Sequence, residues 1–298
     1  MTKIPENLIS FALNTPNVSS AVVCANQKSV LESVKDATEI NLIQPILIGN
    51  KKNIYSIAND INFNIENLEI IDEPSDVECA AIGCELAKEN KIKIMVKGHL
   101  HTDVLMRSYL KKEFGLLEGK RLSHIWHMSG DLLKNPLFIT DGALNVAPRV
   151  DIKLYILRNA IEFANKTGLT KPKVAILSGT EDPIESMPSS VEAKEVMELA
   201  KKENVTAYIH GPLALDNAIS KEAAKIKNIQ NDVAGDADIL LVPNLETGNS
   251  LSKIMVYLMQ ACAACIIVGG KIPVVVPSRA DNKISKLASI AASIIAAQ

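Results

Sequence analysis

Short aliphatic and β-branched runs recur along this chain, each followed by a stretch whose apolar residues fall three or four positions apart. Residues 21–24 read as a strand, 28–37 as a helix and 45–48 as a strand. Residues 76–89 place Cys79, Ile82 and Leu86 at helical spacing, 92–96 form a strand, and 103–114 the helix after it. Residues 124–128 and 137–140 are two strands with no room for a helix between them, and 150–165 make a long helix. Strands at 174–177, 205–209, 239–242 and 273–276 complete the pattern. Such alternation builds βαβ units, whose strands lie parallel under covering helices. The expected class is α/β with mainly parallel sheets. At roughly 150 residues per domain, a chain of 298 residues suggests two domains. The break in the alternation at 129–135 is the candidate crossover, and no linker rich in Pro, Gly or Ser marks it.

Charge and composition exclude several function classes. Lys and Arg number 32 against 34 Asp and Glu, a formal charge of −2. That balance supplies no basic field for nucleic acid or an anionic membrane. Aromatics at 4% are too few for a base-stacking platform, so the cores must be aliphatic. The opening residues lack a basic segment followed by an apolar one, so no signal peptide is expected. The longest apolar run, 261–268, is far short of the ~20 residues of a membrane span. Five scattered cysteines (Cys24, Cys79, Cys84, Cys262, Cys265) argue for a reducing compartment, and the expected location is cytoplasmic.

In a parallel sheet the C-terminal strand ends share one edge, and ligands collect there. The segments expected on that edge are KGHLHTD (97–103), DGALN (141–145), SGTE (178–181), HGPLALDN (210–217), PNLETGN (243–249) and PSRADN (277–282). Most combine Gly or Pro with hydroxyl, amide or charged groups, and several open a helix, whose free N–H groups suit an anion. Thr102, Asp216 and Asn249 read equally well as helix caps. Caps need no cations beside them, so Lys97, Arg107 and Arg279, with Ser278 and Thr102, form a candidate site for phosphate or an acyl phosphate. Walker-type and dinucleotide glycine motifs are absent, as is a GxSxG elbow. Cys262 and Cys265 have redox-motif spacing but close a predicted helix and read as buried thiols. His99 and His101 share a loop without a metal-ligating pattern, and no metal is expected; His124 and His127 straddle Trp126 and read as structural.

These loops carry a family resemblance. MVKGHLHTDVLMR (95–107), RLSHIW (121–126), PLFITDGALNVAP (136–148), GPLALDNAISKEAAKIK (211–227), VAGDADILLVPNLETGN (233–249) and PVVVPSRAD (273–281) resemble the phosphate acetyl/butyryltransferase family, and the likeness covers roughly residues 20–298. The resemblance implies two α/β domains similar to those of isocitrate and isopropylmalate dehydrogenases, with the active site in the interdomain cleft. Residues 1–135 with 276–298 would form the first domain, and 136–275 the second, through which a homodimer would assemble. It implies a reaction between acyl-CoA and inorganic phosphate giving acyl phosphate and CoA, with coenzyme A as substrate and no tightly bound cofactor.

The resemblance places Ser278 and Arg279 in the active site, Arg279 on phosphate and Ser278 on the carbonyl oxygen or phosphate. Asp281 is the candidate acceptor of the thiol proton, or else a cap for the last helix; in longer acetyltransferases the acid lies further along. Lys97, His101, Thr102, Arg107, Asn145, Glu246 and Asn249 are the expected substrate-binding residues. No cysteine is expected in a ligand-edge loop, which argues against a thiol nucleophile. Chain length and SRAD resemble the butyryl branch, whereas KGHLHTD and PLFITDGALNVAP resemble acetyltransferases; a short acyl group, C2 to C5, is expected, with butyryl slightly ahead of acetyl. A dehydrogenase on the same fold and a non-catalytic acyl-CoA-binding module are the alternatives.

Overall fold

A computed structural model describes residues 5–117, 119–278 and 281–298. The chain forms two compact units: one takes the described residues up to Lys120 and from Ala264 onward, the other Arg121–Ala263. The opening segment contains α1 (Glu6–Leu13), β1 (Val18–Val23), α2 (Lys28–Glu39), β2 (Ile43–Gly49), α3 (Lys51–Asp60), β3 (Ile70–Asp72), α4 (Asp76–Lys88), β4 (Ile94–Lys97) and α5 (Thr102–Tyr109). The middle segment contains β5 (Ser123–Ser129), β6 (Leu137–Thr140), α6 (Val150–Lys166), β7 (Lys173–Leu177), α7 (Pro188–Lys202), β8 (Tyr208–Leu213), α8 (Leu215–Ile219), α9 (Lys221–Ile226), β9 (Ile239–Leu241) and α10 (Leu245–Tyr257). The chain closes with β10 (Cys262–Val268), β11 (Val274–Val275) and α11 (Lys283–Ala296).

In the first unit the strands run in the order β3-β2-β1-β4-β11-β10, parallel except for the β10–β11 pair. In the second the order is β5-β6-β9-β7-β8, parallel except for the β5–β6 pair. The expected α/β class with mainly parallel sheets is what the chain forms. The unit boundaries fall elsewhere than at 135 and 276. Residues 125–128 pair with 137–140, which draws β5 into the second unit. Met95 and Val96 pair with Val274 and Val275, and Ile266 and Ile267 pair with β11, which returns the chain to the first unit from Ala264. Ladder partners distant in sequence decide both boundaries, and a local pattern does not carry them.

Three local readings are corrected. Cys262 and Cys265 lie on a strand, because α10 ends at Tyr257, Gln260 takes φ +54, and the run that follows is buried almost throughout. A continuous apolar run is what a strand covered on both faces shows. His210 to Leu213, expected as a loop, extend β8. The helix expected over 103–114 ends at Tyr109, with a separate 3₁₀ turn at Lys112–Phe114. The last helix, α11, is buried from Ser285 to Ile295, and it packs against α1 and α2. Its serines are buried with their hydroxyls satisfied inside the helix, Ser289 donating to Ser285 O and Ser293 to Ile290 O.

His124 and His127 are buried on β5, each with an Nδ1 that has no hydrogen-bond partner. The His127 ring meets Phe138 edge-on at 5.1 Å, and Phe138 meets Phe163 at 5.7 Å. Burial pushes both imidazoles down to about 4, so both are neutral in the folded chain at neutral pH. An unfolded histidine protonates near 6.5. Between pH 6.5 and 4 the unfolded chain therefore binds more protons, and stability falls as pH drops through that window, by about 3 kcal/mol per histidine. His127→Leu should flatten this decline in urea-unfolding midpoints taken from pH 7 to 4; the wild-type slope in the variant would show that His127 does not contribute.

Candidate active site

In the first unit β1 lies between β2 and β4, and the connections leave it in opposite directions. Such a switch point opens a crevice at the C-terminal strand ends. After β1 comes Cys24, with φ +58, and after β4 come Gly98 and His99. The Gly98 N–H donates to Val23 O (2.8 Å) and the His99 N–H to Cys24 O (2.9 Å). A Cβ at Gly98 would stand 2.2 Å from Cys24 O, so this approach requires glycine. Lys97 is buried, and its ammonium donates to the carbonyls of Leu100 (3.2 Å) and Gly98 (3.4 Å). His101 occupies the N-cap position of α5 and Thr102 its first position, both exposed. Arg107 lies further along α5, with its guanidinium 3.4 Å from Asp103 and 81% of its side chain exposed.

β11 runs parallel to β4, so Ser278 leaves the sheet on the same edge as Lys97. The Ser278 N–H donates to Asp281 Oδ2 (2.7 Å), and the Asp281 N–H donates back to Ser278 O (3.1 Å). The α11 cap is Asn282, whose side chain accepts from the Ser285 N–H at 2.8 Å. Asp281 therefore closes the Ser278 turn rather than capping the helix. The Cys265 thiol faces the same Asp281 oxygen at 3.9 Å. Arg279 lies outside the described residues.

In the second unit β6 and β9 are parallel neighbours, and the loops after them meet. Asp141, 2% exposed, accepts from the backbone N–H groups of His124 (3.0 Å), Ala143 (3.0 Å) and Leu144 (2.9 Å) and from Asn145 Nδ2 (2.7 Å). Asn145 Nδ2 also donates to Leu122 O (3.0 Å), so the amide nitrogen expected to bind substrate is engaged in holding the loop. Asn244 caps α10 through the Thr247 N–H (2.9 Å). A Cβ at Gly142 would lie 2.4 Å from the Trp126 ring and 2.7 Å from the Gly248 backbone, and Asn249 Nδ2 donates to Gly142 O (3.3 Å). Glu246 is exposed on the first turn of α10, and Asn249 is half-buried.

Sequence reasoning missed the organising part played by Asp141 and the place of two cysteines. Cys24 stands at the β1 end and Cys265 at the Asp281 carboxylate, so thiols do reach this edge. Cys24 hydrogen-bonds Asp76 (3.4 Å) and is pushed up by the Cys79 thiol and by burial. A strand extended by one residue at 21–24 was the available signal for Cys24; for Cys265 the helix reading concealed it. No group of acidic, thiol or imidazole side chains that could hold a metal occurs among the described residues, and no helix among them is long and apolar enough to cross a membrane.

Comparisons with known proteins agree on the lineage. A family model described as "Phosphate acetyl/butaryl transferase" matches residues 77–294. The chain is 40% identical to a phosphate acetyltransferase of Rhizobium meliloti, over 86% of this chain and 81% of that protein. It is 36% identical to a phosphate butyryltransferase of Clostridium beijerinckii, over 100% and 99%. A branched-chain phosphotransacylase from Enterococcus faecalis superposes with a TM-score of 0.84 at 32% identity, over 94% of this chain and 99% of that one. A 4-hydroxythreonine-4-phosphate dehydrogenase from Burkholderia phymatum, at 14% identity and TM-score 0.58, over 95% of this chain and 99% of that one, shares the fold.

Gly98→Ala should lower stability by about 1–3 kcal/mol in urea unfolding, because the added methyl collides with backbone rather than with a movable side chain. Unchanged stability would show that the Cys24–Gly98 contact is slack.

Proposed function

Because this chain belongs to the phosphate acetyl/butyryltransferase family, we propose that it carries a short acyl group, C2 to C5, between coenzyme A and inorganic phosphate bound at the same time. The observation that carries this reading is the shared edge of β4 and β11. It brings the Ser278–Asp281 turn and the Lys97–Thr102 loop together on neighbouring strands of one unit.

The residues divide the chemistry. In the direction of acyl-CoA synthesis the thiol, with a pKa near 8.5, must lose a proton. Asp281 is the acceptor, its carboxylate held by the Ser278 amide. The carbonyl oxygen gains charge as the thiolate adds, and the Ser278 hydroxyl with the N–H groups opening α5 supplies donors for it. Phosphate leaves, and Arg279 takes it in the bidentate manner open to a guanidinium. Lys97, His101, Thr102 and Arg107 bind substrate on the first unit. Attack is direct, with no acyl-enzyme. Butyryl-sized chains are placed slightly ahead of acetyl on the SRAD segment, and relatives of both kinds match nearly end to end. The exposed Ile254 and Tyr257 of α10, with Leu258 just after it, support assembly as a homodimer, and five free, buried cysteines accord with a cytoplasmic location.

The test is thiol release from acetyl-, propionyl-, butyryl- and isobutyryl-CoA with and without phosphate. Release should require phosphate, be fastest with a four-carbon acyl group, and fall by roughly 100-fold in Ser278→Ala and Arg279→Ala. Release that proceeds equally well without phosphate would identify a thioesterase and refute the proposal.

A further inference from the structure

Tyr109 closes α5 and is wholly buried. Its hydroxyl donates to Ile272 O (2.6 Å) and accepts from the Ile272 N–H (3.2 Å). One phenol thus serves both backbone groups of the residue two before β11. Gly270 makes room for it, since a Cβ there would stand 2.3 Å from the hydroxyl and 2.8 Å from the ring. A buried hydroxyl is costly unless it is hydrogen-bonded, and a Phe would fill the ring's volume without that demand. Ile272 lies in a segment that is itself anchored. Beside it, the Lys271 N–H donates to Leu116 O (2.8 Å), the Lys271 ammonium to Lys88 O (2.9 Å), and the Met95 N–H of β4 to Pro273 O (3.1 Å). α5 packs against α4. Tyr109 adds a direct bond from α5 to the connection that enters β11, the strand that leads to Ser278.

Residues two apart on a helix point about 200° apart. Arg107 and Tyr109 therefore use opposite faces of the last turn of α5: Arg107 outward, with 81% of its side chain exposed, and Tyr109 inward. We infer that Tyr109 is a positioning residue for Arg107, fixing relative to β11 the helical turn from which the guanidinium reaches substrate. This rests on the reading of Arg107 as a substrate-binding residue. The loop that leads into α5 is set by the Gly98 and His99 amides on Val23 and Cys24. A helix held at that end alone swings about it, and the displacement is largest at the far end, where Arg107 lies. A misplacement on the order of 1 Å is enough to cost much of a rate.

Tyr109→Phe keeps the ring and removes the bonds to Ile272. Thiol release from butyryl-CoA with phosphate is measured on variants shown by circular dichroism to be folded at the assay temperature. The Phe variant should lose about 10-fold in kcat/KM. The loss should fall on the KM of the same substrate whose KM Arg107→Ala raises. The decisive comparison is a double-mutant cycle: in the Arg107→Ala background the Phe substitution should cost less than about twofold, because no guanidinium is left to place. A merely structural Tyr109 would lower the urea-unfolding midpoint and leave kcat/KM unchanged, or lower kcat/KM equally in both backgrounds. Either result overturns the inference.

Gly270→Ala reaches the same contact from the other side, because its methyl presses on the hydroxyl, and it stands in if the Phe variant does not fold. It should show the same loss, again absent without Arg107; a loss that is missing or additive overturns the inference as well. Arg107→Ala at the wild-type rate, with KM values unmoved, overturns the substrate-binding reading and the inference together. An impaired Arg107→Ala beside a harmless Tyr109→Phe overturns the inference alone.

Discussion

The seating of Gly98 on the Cys24 carbonyl is the constraint from which the first-unit site follows. Cys24 takes φ +58 at the end of β1, which turns its carbonyl toward the next strand, and the Gly98 and His99 amides close on Val23 and Cys24. A side chain at 98 would fill the only space for that approach. The loop before α5 is thereby pinned to a central strand by backbone groups alone. Its side chains are left for other work: Lys97 turns inward to hold two carbonyls, while His101 and Thr102 face solvent at the start of α5. Precision at the edge comes from the sheet, because β11 pairs with β4 and delivers Ser278 beside the same loop.

The second unit reaches a similar result by a different device. Asp141 collects four N–H donors and organises the loop after β6 around one buried carboxylate. Removing one partner from such a cluster costs more than the net worth of any single bond, since donors are then left without acceptors. The glycine at 142 lies against the backbone at Gly248, so the loop after β6 and the first turn of α10 fit only without side chains there. Both units use glycine where backbone meets backbone and a buried charged side chain where a loop must be tied to itself.

How far the sequence reveals this depends on the range of the interaction. Strand and helix periodicity is local, so the α/β class and the strands at 137–140 and 174–177 are legible from it. The family motifs likewise mark the loops after β4, β6, β9 and β11. Ladder partners are not local, and so a local pattern does not tell on which side of the division β5 and β11 fall. Cys265 was concealed by a run that suits a buried strand as well as a buried helix. Asn145 and Asp281 show a subtler limit: residue type and loop position are visible, whereas which atoms each side chain already serves is not. The amide of Asn145 is committed to Asp141 and Leu122, and Asp281 to the Ser278 turn.

Thiols at the ligand edge sharpen the mechanistic choice. Direct transfer and a cysteine-borne acyl intermediate would use the same substrates and differ in what the enzyme does with one of them alone. Exchange of isotopically labelled inorganic phosphate into unlabelled acyl phosphate, followed in the absence of coenzyme A, measures that difference. Direct attack of the thiol on acyl phosphate predicts no exchange until coenzyme A is added; exchange by the enzyme alone at a rate comparable to turnover would contradict it.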